Sequence, residues 1–143
     1  MSVTRVSPED ARKLVADEGY VYVDVRSVPE FQAGHPTGAY NVPWKHMDAR
    51  GAVDNEDFLP VMEKAFGKDA KLVLGCRSGG RSLQAAHALA HAGFAHLVDQ
   101  RAGYMGTMGP TGEPEPGWAP SGLPTSQEAE PGHGYSDLEQ KTK

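Results

Sequence analysis

An apolar run that leads directly into a glycine-rich turn and then into a helix constrains the fold of this chain more than any other feature. Residues 71–74 have the continuous pattern of a strand that is buried on both faces of a parallel sheet. The turn at residues 75–81 follows without a spacer, and an Ala- and Leu-rich helix extends from about Arg81 to Ala92, where Gly93 ends it. Strand, tight turn and helix in this order are typical of a βαβ unit, so the segment predicts an α/β protein.

The rest of the chain alternates strands and helices in the same way. Ser7 before Pro8 predicts the start of a helix that ends near Gly19, and Ser27 predicts the cap of a short helical turn. Apolar spacing and β-former content predict the remaining elements, which are strands at 20–25, 39–42 and 96–98 and a helix at 58–66. Together these elements predict a parallel sheet with helices on both of its faces.

Composition limits the domain organisation. A chain of 143 residues suits one domain. Proline and glycine become frequent from Gly109 onward, and large apolar residues become rare. This change predicts a domain over residues 1–124 and a disordered, acidic, Pro/Gly-rich tail over residues 125–143. Trp118 and Leu123 are expected to wrap the stretch between Gly109 and the tail onto the domain.

Charge, hydropathy and cysteine content argue against several classes of function. The formal net charge of −5 argues against general nucleic-acid binding, which usually leaves a basic surface. No apolar run approaches the ~18 residues of a membrane span, and the first residues have no apolar signal-peptide core. We therefore expect no membrane partner and a cytoplasmic location. The single cysteine excludes an internal disulfide.

The residue with the most distinctive chemistry is Cys76, which follows the buried strand at the edge of the sheet where parallel α/β folds bind ligands. Gly79 and Gly80 allow backbone N–H groups to point inward, and the helix adds its positive N-terminal end. Arg77 and Arg81 add two permanent cations. These groups favour a nucleophilic thiolate that solutes can reach, and they would also hold an anion or a persulfide sulfur. The alternative is a free cysteine buried as a small hydrophobe.

Two separated motifs resemble those of a known family. The first comprises Asp24-Val25-Arg26, Glu30-Phe31, Gly34-His35, Gly38-Ala39 and Asn41-Val42-Pro43. The second is the loop Cys76-Arg77-Ser78-Gly79-Gly80-Arg81 with Ser82 after it. With these motifs in this order, residues 3–124 resemble the single-domain rhodanese family of sulfurtransferases.

The resemblance implies a rhodanese-like parallel sheet and a transferase in which Cys76 is the catalytic nucleophile. Cys76 would take a sulfane sulfur from thiosulfate or a persulfide donor and pass it to cyanide or to a thiol acceptor, an acceptor protein included. The cradle for the small anionic donor would be formed by the amides of Arg77, Ser78, Gly79, Gly80 and Arg81. No cofactor and no metal are implied. Because the chain has no second cysteine, the acceptor must come from outside it.

Four residues of the first motif are expected to support the loop rather than to react, namely Asp24, Arg26, Glu30 and His35. We interpret Arg26 and Glu30 as an ion pair at helical spacing, with Asp24 accepting from backbone donors or from Arg81. Direct substrate binding by these residues is the alternative. His35 is expected to tie a turn together, since a preformed thiolate needs no general base.

The chain departs from the family in two places. After the last predicted strand, the family's Gly-Gly-x-x-x-Trp is replaced by residues 101–105, where Tyr104 is expected to supply the aromatic wall of the site. Some relatives that prefer thiosulfate carry lysine in the second half of the loop. This chain has two glycines there, which leaves Arg77 and Arg81 as the expected anion partners.

Two other functions remain open. A Cys-dependent phosphatase or arsenate reductase also uses a Cys-to-Arg loop. The loops of such enzymes resemble Cys-x5-Arg, whereas the loop of this chain is Cys-x4-Arg. The smaller ring suits a sulfur atom better than a tetrahedral oxyanion. A non-catalytic rhodanese module would use Cys76 for protein binding or sulfur carriage, with the tail as its docking segment.

Several polar residues are assigned to the surface. His87 and His91 lie four residues apart on one predicted helix face, but no third metal ligand accompanies them, so both are expected to face solvent. Arg101, Lys45 and His46 form either a basic rim that attracts anions or ordinary surface charges.

Overall fold

The computed structural model describes residues 3–109 and 111–142 of the chain. Outside the described residues lie Met1, Ser2, Pro110 and Lys143. The first residues of the predicted domain and the last residue of the predicted tail are among them. The strands are β1 (Thr4–Val6), β2 (Val21–Asp24), β3 (His35–Pro36), β4 (Tyr40–Asn41), β5 (Lys45–Asp48), β6 (Gly51–Asp54), β7 (Lys71–Gly75), β8 (His96–Gln100), β9 (Gly106–Met108), β10 (Pro114–Pro116) and β11 (Thr125–Ser126). The helices are α1 (Pro8–Asp17), α2 (Val28–Ala33), α3 (Phe58–Ala65), α4 (Gly80–His91) and α5 (Tyr135–Glu139), with a 3-10 turn at Gln140–Thr142. None of these described helices has the length and apolar character needed to cross a lipid bilayer.

The central sheet has the parallel arrangement that the sequence predicts. Its strand order is β1-β8-β7-β2-β4, and each neighbouring pair runs parallel. β7 occupies the middle of the sheet, and its residues Leu72, Val73 and Leu74 are fully buried. The prediction of a strand buried on both faces is therefore confirmed.

Helices cover both faces of this sheet, as predicted. On one face, α3, α4 and α5 contribute to the larger of two cores, which includes Leu72 and Leu74. On the other face, α1 and Phe31 of α2 belong to a second core with Val73 and Tyr22. Because successive residues of a strand point to opposite faces, alternate residues of β7 serve the two cores.

The first two helices begin at the predicted capping serines. The Ser7 side chain accepts the amide N–H of Asp10 at 3.1 Å, and Pro8 opens α1. Ser27 precedes α2, and the Glu30 carboxylate accepts the Ser27 amide at 3.1 Å and its hydroxyl at 2.8 Å. The caps satisfy polar groups that the first turn of a helix leaves without internal partners.

Three short antiparallel pairs lie outside the central sheet. β5 pairs with β6, β9 pairs with β10, and β3 pairs with β11. After β10 the chain returns to the sheet, where the Trp118 amide donates to the Gly103 carbonyl at 2.9 Å. Trp118 is 3% exposed and Leu123 packs against the same core, so the predicted wrapping of this stretch is confirmed.

Residues 125–142 are ordered against the domain, and the prediction of a disordered tail is wrong. β11 pairs with β3, and α5 places Tyr135 and Leu138 in the larger core at 7% and 0% exposure. The amide of Asn41 donates to the His133 carbonyl at 2.9 Å, which covers the outer edge of β4. Composition averages over the whole segment, whereas two apolar side chains suffice here because they complete a core that already exists.

Candidate active site

The loop between β7 and α4 lies at the carboxyl end of the central strand. β7 ends at Gly75 and α4 begins at Gly80, so residues 76–79 make the whole turn. Gly79 has a φ of 98°, in the left-handed region that favours glycine. A side chain at this position would also overlap the carbonyl of Arg101. Glycine is therefore required at position 79 both for its conformation and for its packing.

Cys76 opens this loop and is almost completely enclosed. The residue is 2% exposed, and it belongs to the larger hydrophobic core. Its Sγ accepts the N–H of Gly79 at 3.1 Å, the one loop amide that bonds to the sulfur in the described part of the chain. The sulfur thus lies at the predicted edge of the sheet, but it is enclosed where the sequence predicted an open group.

The two arginines of the loop are in different electrostatic situations. Arg81 forms a two-point ion pair with Glu30, with nitrogen–oxygen distances of 2.8 and 3.0 Å. Burial alone would raise the pKa of Glu30, but hydrogen bonds from Arg81 and Ser27 outweigh it and lower this pKa to about 2. The exposed Arg77 forms no ion pair within residues 3–109 and 111–142. The uncompensated positive charge of the loop therefore belongs to Arg77.

Arg26 pairs with Asp24, and the expected ion pair between Arg26 and Glu30 is wrong. The Arg26 Nε lies 3.0 Å from both Asp24 oxygens, and its Nη2 lies 2.7 Å from Oδ2. The Arg26 Nη2 also donates to the carbonyl of Gly34 at 2.6 Å. The helical-spacing argument fails because Arg26 lies before α2, so its side chain and that of Glu30 do not share a helix face. Asp24 also accepts the backbone N–H of Arg26 at 3.0 Å, so the expected backbone donor is confirmed, whereas Arg81 is not its partner.

His35 has the turn-tying role expected for it. The residue is 1% exposed, and its Nδ1 lies 2.8 Å from the carbonyl oxygen of Phe31. Its ring stacks on that of Phe31 with 3.7 Å between centroids. These contacts lock the end of α2 against β3, and they occupy the ring nitrogen that faces the helix.

A cavity of about 310 Å³ adjoins the loop. It is lined by Arg26, Glu30, Ala33, Gly34, Arg77, Tyr104 and Met105. The Tyr104 ring forms one wall, with the Arg26 guanidinium carbon 4.2 Å from its centre. The predicted aromatic wall therefore lies beside the uncompensated Arg77, so the cavity offers a small anion both a positive charge and an apolar surface.

Polar groups that none of the sequence motifs includes hold the loop from outside. Arg5 on β1 bonds through Nε to Asp99 at 2.8 Å, and its Nη2 lies 3.5 Å from the carbonyl oxygen of Gly79. Asp99 is fully buried, and burial raises its pKa although Ser82 and Arg5 act in the opposite direction. No local sequence pattern marks such contacts, because Arg5 is 94 positions from Asp99 and 74 positions from Gly79 in the chain.

Of the two alternatives left open for Arg101 and Lys45, the structure favours ordinary surface charges over a basic rim. Arg101 pairs with Glu115 at 2.8 Å and Lys45 pairs with Asp54 at 3.0 Å, so the charge of each is compensated. His87 and His91 are both exposed on α4, as predicted. Within the described residues, no three His, Cys, Asp or Glu side chains gather as metal ligands.

Comparison with known proteins identifies the relatives of this chain. The family model described as Rhodanese-like domain matches residues 7–107. Thiosulfate sulfurtransferase 16, chloroplastic, of Arabidopsis thaliana is 41% identical over 107 residues, which are 75% of this chain and 80% of the relative. Thiosulfate sulfurtransferase 18 of the same plant is 33% identical over 95 residues, 65% of this chain and 70% of the relative. The match to the senescence-associated protein DIN1 of Raphanus sativus spans 55% of that protein at 41% identity.

Solved structures support the same architecture. The crystal structure of Rv0390 from M. tuberculosis superposes with a TM-score of 0.73 and 26% identity, covering 90% of this chain and 100% of that one. The polysulfide-sulfur transferase of Wolinella succinogenes superposes with a TM-score of 0.62 over 92% of this chain and 83% of that one. At 20% identity the second comparison bears on the fold alone.

Proposed function

The chain belongs to the family of rhodanese-like domains, and from this premise we propose that it transfers sulfane sulfur through a persulfide on Cys76. The supporting observation is the position of the Cys76 sulfur in the loop between β7 and α4, where it accepts the Gly79 N–H. The next residue in the chain, the uncompensated Arg77, lines the cavity that adjoins this loop. Two of the relatives described above are named thiosulfate sulfurtransferases, which supports thiosulfate as the donor.

In the first half-reaction, the Cys76 thiolate attacks the outer sulfur of thiosulfate. A bond forms between the two sulfurs, and the bond from the outer sulfur to the sulfonate sulfur breaks. Sulfite leaves with the electron pair of that bond, and the product is a Cys76 persulfide that carries one negative charge. Arg77 would bind the sulfonate group of the donor, since a guanidinium matches an oxyanion in charge and geometry.

In the second half-reaction, a nucleophile removes the outer sulfur of the persulfide. Cyanide forms thiocyanate, or a thiolate forms a new persulfide, and in both cases the electron pair of the broken bond returns to Cys76. Since Cys76 is the only cysteine of the chain, the acceptor must be a separate molecule. The terminal sulfur would accept hydrogen bonds from the loop amides of residues 77–81, which act as fixed dipoles.

The remaining site residues would support the loop without reacting. Glu30 joins Arg81 to α2, which fixes the start of α4 relative to the cavity. Asp24 and Arg26 join the end of β2 to Gly34. His35 fixes the turn that follows. Each of these contacts orients backbone or side chains around Cys76, and none requires proton transfer.

A thiosulfate:cyanide assay with intact-mass detection tests the proposal. The protein should gain about 32 Da, one sulfur atom, with thiosulfate alone, and it should lose this mass when cyanide is added. Cys76→Ser should keep the fold and abolish both the adduct and thiocyanate formation. Turnover that survives in this variant, or a wild-type protein that never gains the mass, would reject the proposal.

One further measurement distinguishes the alternatives. Hydrolysis of p-nitrophenyl phosphate by the wild-type protein but not by Cys76→Ser would identify a phosphatase instead. A protein that neither gains sulfur nor hydrolyses the phosphate ester would fit a non-catalytic module.

A further inference from the structure

The carbonyl groups at the start of the loop bond to residues 104 and 105 rather than to the loop itself. The Tyr104 amide donates to the Cys76 carbonyl at 2.7 Å, and the Met105 amide donates to the Arg77 carbonyl at 3.0 Å. Both peptide bonds are trans. In a planar trans peptide the N–H points away from the C=O, so the amides of Arg77 and Ser78 point away from this segment.

These two amides belong to the cradle expected for residues 77–81. Within the described residues, neither the Arg77 N–H nor the Ser78 N–H bonds to another protein atom, so both remain available for an anion or a persulfide sulfur. Their direction depends on where residues 104 and 105 hold the two carbonyls. A displacement of that segment would therefore change the direction of these two donors.

The side chain of Gln100 builds the turn that positions this segment. Gln100 is fully buried at the end of β8. Its Oε1 accepts the amides of Ala102 and Gly103, both at 2.9 Å, and its Nε2 donates to the Gly103 carbonyl at 2.7 Å. The same Nε2 lies 3.3 Å from the Tyr22 hydroxyl oxygen, so the amide group is anchored to β2 as well. One side chain thus satisfies three backbone groups of residues 102 and 103.

The turn at residues 101–105 is also in close contact with the loop, so a shift of the turn is transmitted to the loop. A side chain at Gly103 would overlap the carbonyl of Arg77 and would lie 2.6 Å from the Ser78 nitrogen. Gly103 has a φ of 71°, so both conformation and space favour glycine. With backbone on backbone, no flexible side chain absorbs a shift of the turn before it reaches the loop.

We propose that Gln100 is a positioning residue for sulfur transfer, which orients the Arg77 and Ser78 amides through the turn at residues 101–105. Gln100 touches neither donor nor acceptor and acts only through the backbone. The inference rests on the proposed persulfide chemistry at Cys76. It adds a residue outside both sequence motifs to the site.

Gln100→Met tests the inference, because methionine keeps the length and apolar volume of the side chain but lacks the amide. At saturating thiosulfate, the rate of persulfide formation should fall about 10- to 100-fold, the cost of misplacing donors around a reacting group. The KM for thiosulfate should stay within about twofold, since Arg77 keeps its charge. Amide hydrogen exchange at Tyr104 and Met105 should accelerate in the folded protein.

Val61→Ala is the matched control. Val61 is fully buried on α3, so its truncation lowers stability without changing a residue of the loop or of the turn. This control should retain the wild-type rate of persulfide formation and slow exchange at Tyr104 and Met105. A Gln100→Met protein that matches Val61→Ala in both readouts would overturn the inference.

A variant that fails to fold leaves the inference testable. In that case Gln100→Glu replaces it, since a carboxylate keeps the contacts to the Ala102 and Gly103 amides but loses the donation to the Gly103 carbonyl. The same two readouts and the same control apply. If the wild-type protein forms no persulfide, the proposed function fails, whereas the exchange measurement still decides whether Gln100 positions the segment.

Discussion

The Glu30 carboxylate and the Arg81 guanidinium meet across the Cys76 loop through two contacts of 2.8 and 3.0 Å, although 51 positions separate the two residues in the chain. The pair joins α2 to the first turn of α4. It neutralises one of the loop's two arginines and leaves the charge of Arg77 for a ligand. Stability and donor binding in this loop therefore depend on different arginines.

The Glu30–Arg81 pair makes stability depend on acid pH. Because the pKa of Glu30 falls from 4.5 to about 2 on folding, its contribution is present above pH 4.5 and is lost as the pH falls toward 2. Glu30→Gln should destabilise the protein by about 2 kcal/mol at pH 7. The gap in the free energy of unfolding between variant and wild type, measured by urea denaturation, should shrink as the pH falls from 4.5 to 2. Asp48→Asn, at a mostly exposed pair with Arg50, should show no such gap, and a constant gap for Glu30→Gln would contradict the assignment.

Arg77 should determine the affinity for anionic donors. Arg77→Ala should raise the KM for thiosulfate about tenfold with little change in kcat, since it removes a charge-assisted contact made before and during the reaction. Arg50→Ala is the matched control, because Arg50 is paired with Asp48 and lies outside both the loop and the turn. Steady-state kinetics at constant ionic strength check both variants. An unchanged KM in Arg77→Ala would remove Arg77 from the donor site.

The C-terminal segment should contribute to the stability of the domain. Leu138→Ala should cost about 2–5 kcal/mol, the range for a fully buried leucine, because Leu138 is 0% exposed in the larger core. Gln140→Ala, two residues later and exposed, should have little effect. Chemical denaturation measures both. If Leu138→Ala matched Gln140→Ala, residues 125–142 would not be packed as described.

Local patterns were sufficient to predict the part of the fold that carries the site. The apolar run of β7, the glycines of the loop and the capping serines of α1 and α2 act on their sequence neighbours, so their consequences can be derived from sequence alone. The C-terminal segment differs because its order depends on Tyr135 and Leu138 meeting a core built by distant residues. The composition of the segment carries no information about these long-range contacts.

Prediction from sequence failed mainly for the interaction partners of charged and polar residues. Spacing suggested Arg26 with Glu30, but Asp24 offers both oxygens to Arg26, and Glu30 reaches Arg81 on another helix. Gln100 gave no signal at all, because a glutamine at the end of a strand reads as a surface residue unless its burial is known. Burial and long-range pairing are properties of the tertiary fold.

The enclosure of Cys76 should make its reactivity depend strongly on reagent size. With 2% of the residue exposed, a reagent must present a narrow reactive atom, as the outer sulfur of thiosulfate does. Methyl methanethiosulfonate is a small reagent, and a biotin-linked maleimide is a large one. The ratio of the modification rate with the small reagent to that with the large reagent should be at least about 100-fold higher at Cys76 than at an open thiol. A Cys76→Ala protein with Ser121→Cys supplies that open thiol, since Ser121 is exposed. Intact mass against time gives the four rates. Equal size dependence at the two positions would mean that the loop opens freely in solution, and slow modification of Cys76 by both reagents would mean that the sulfur is too enclosed to serve as the nucleophile.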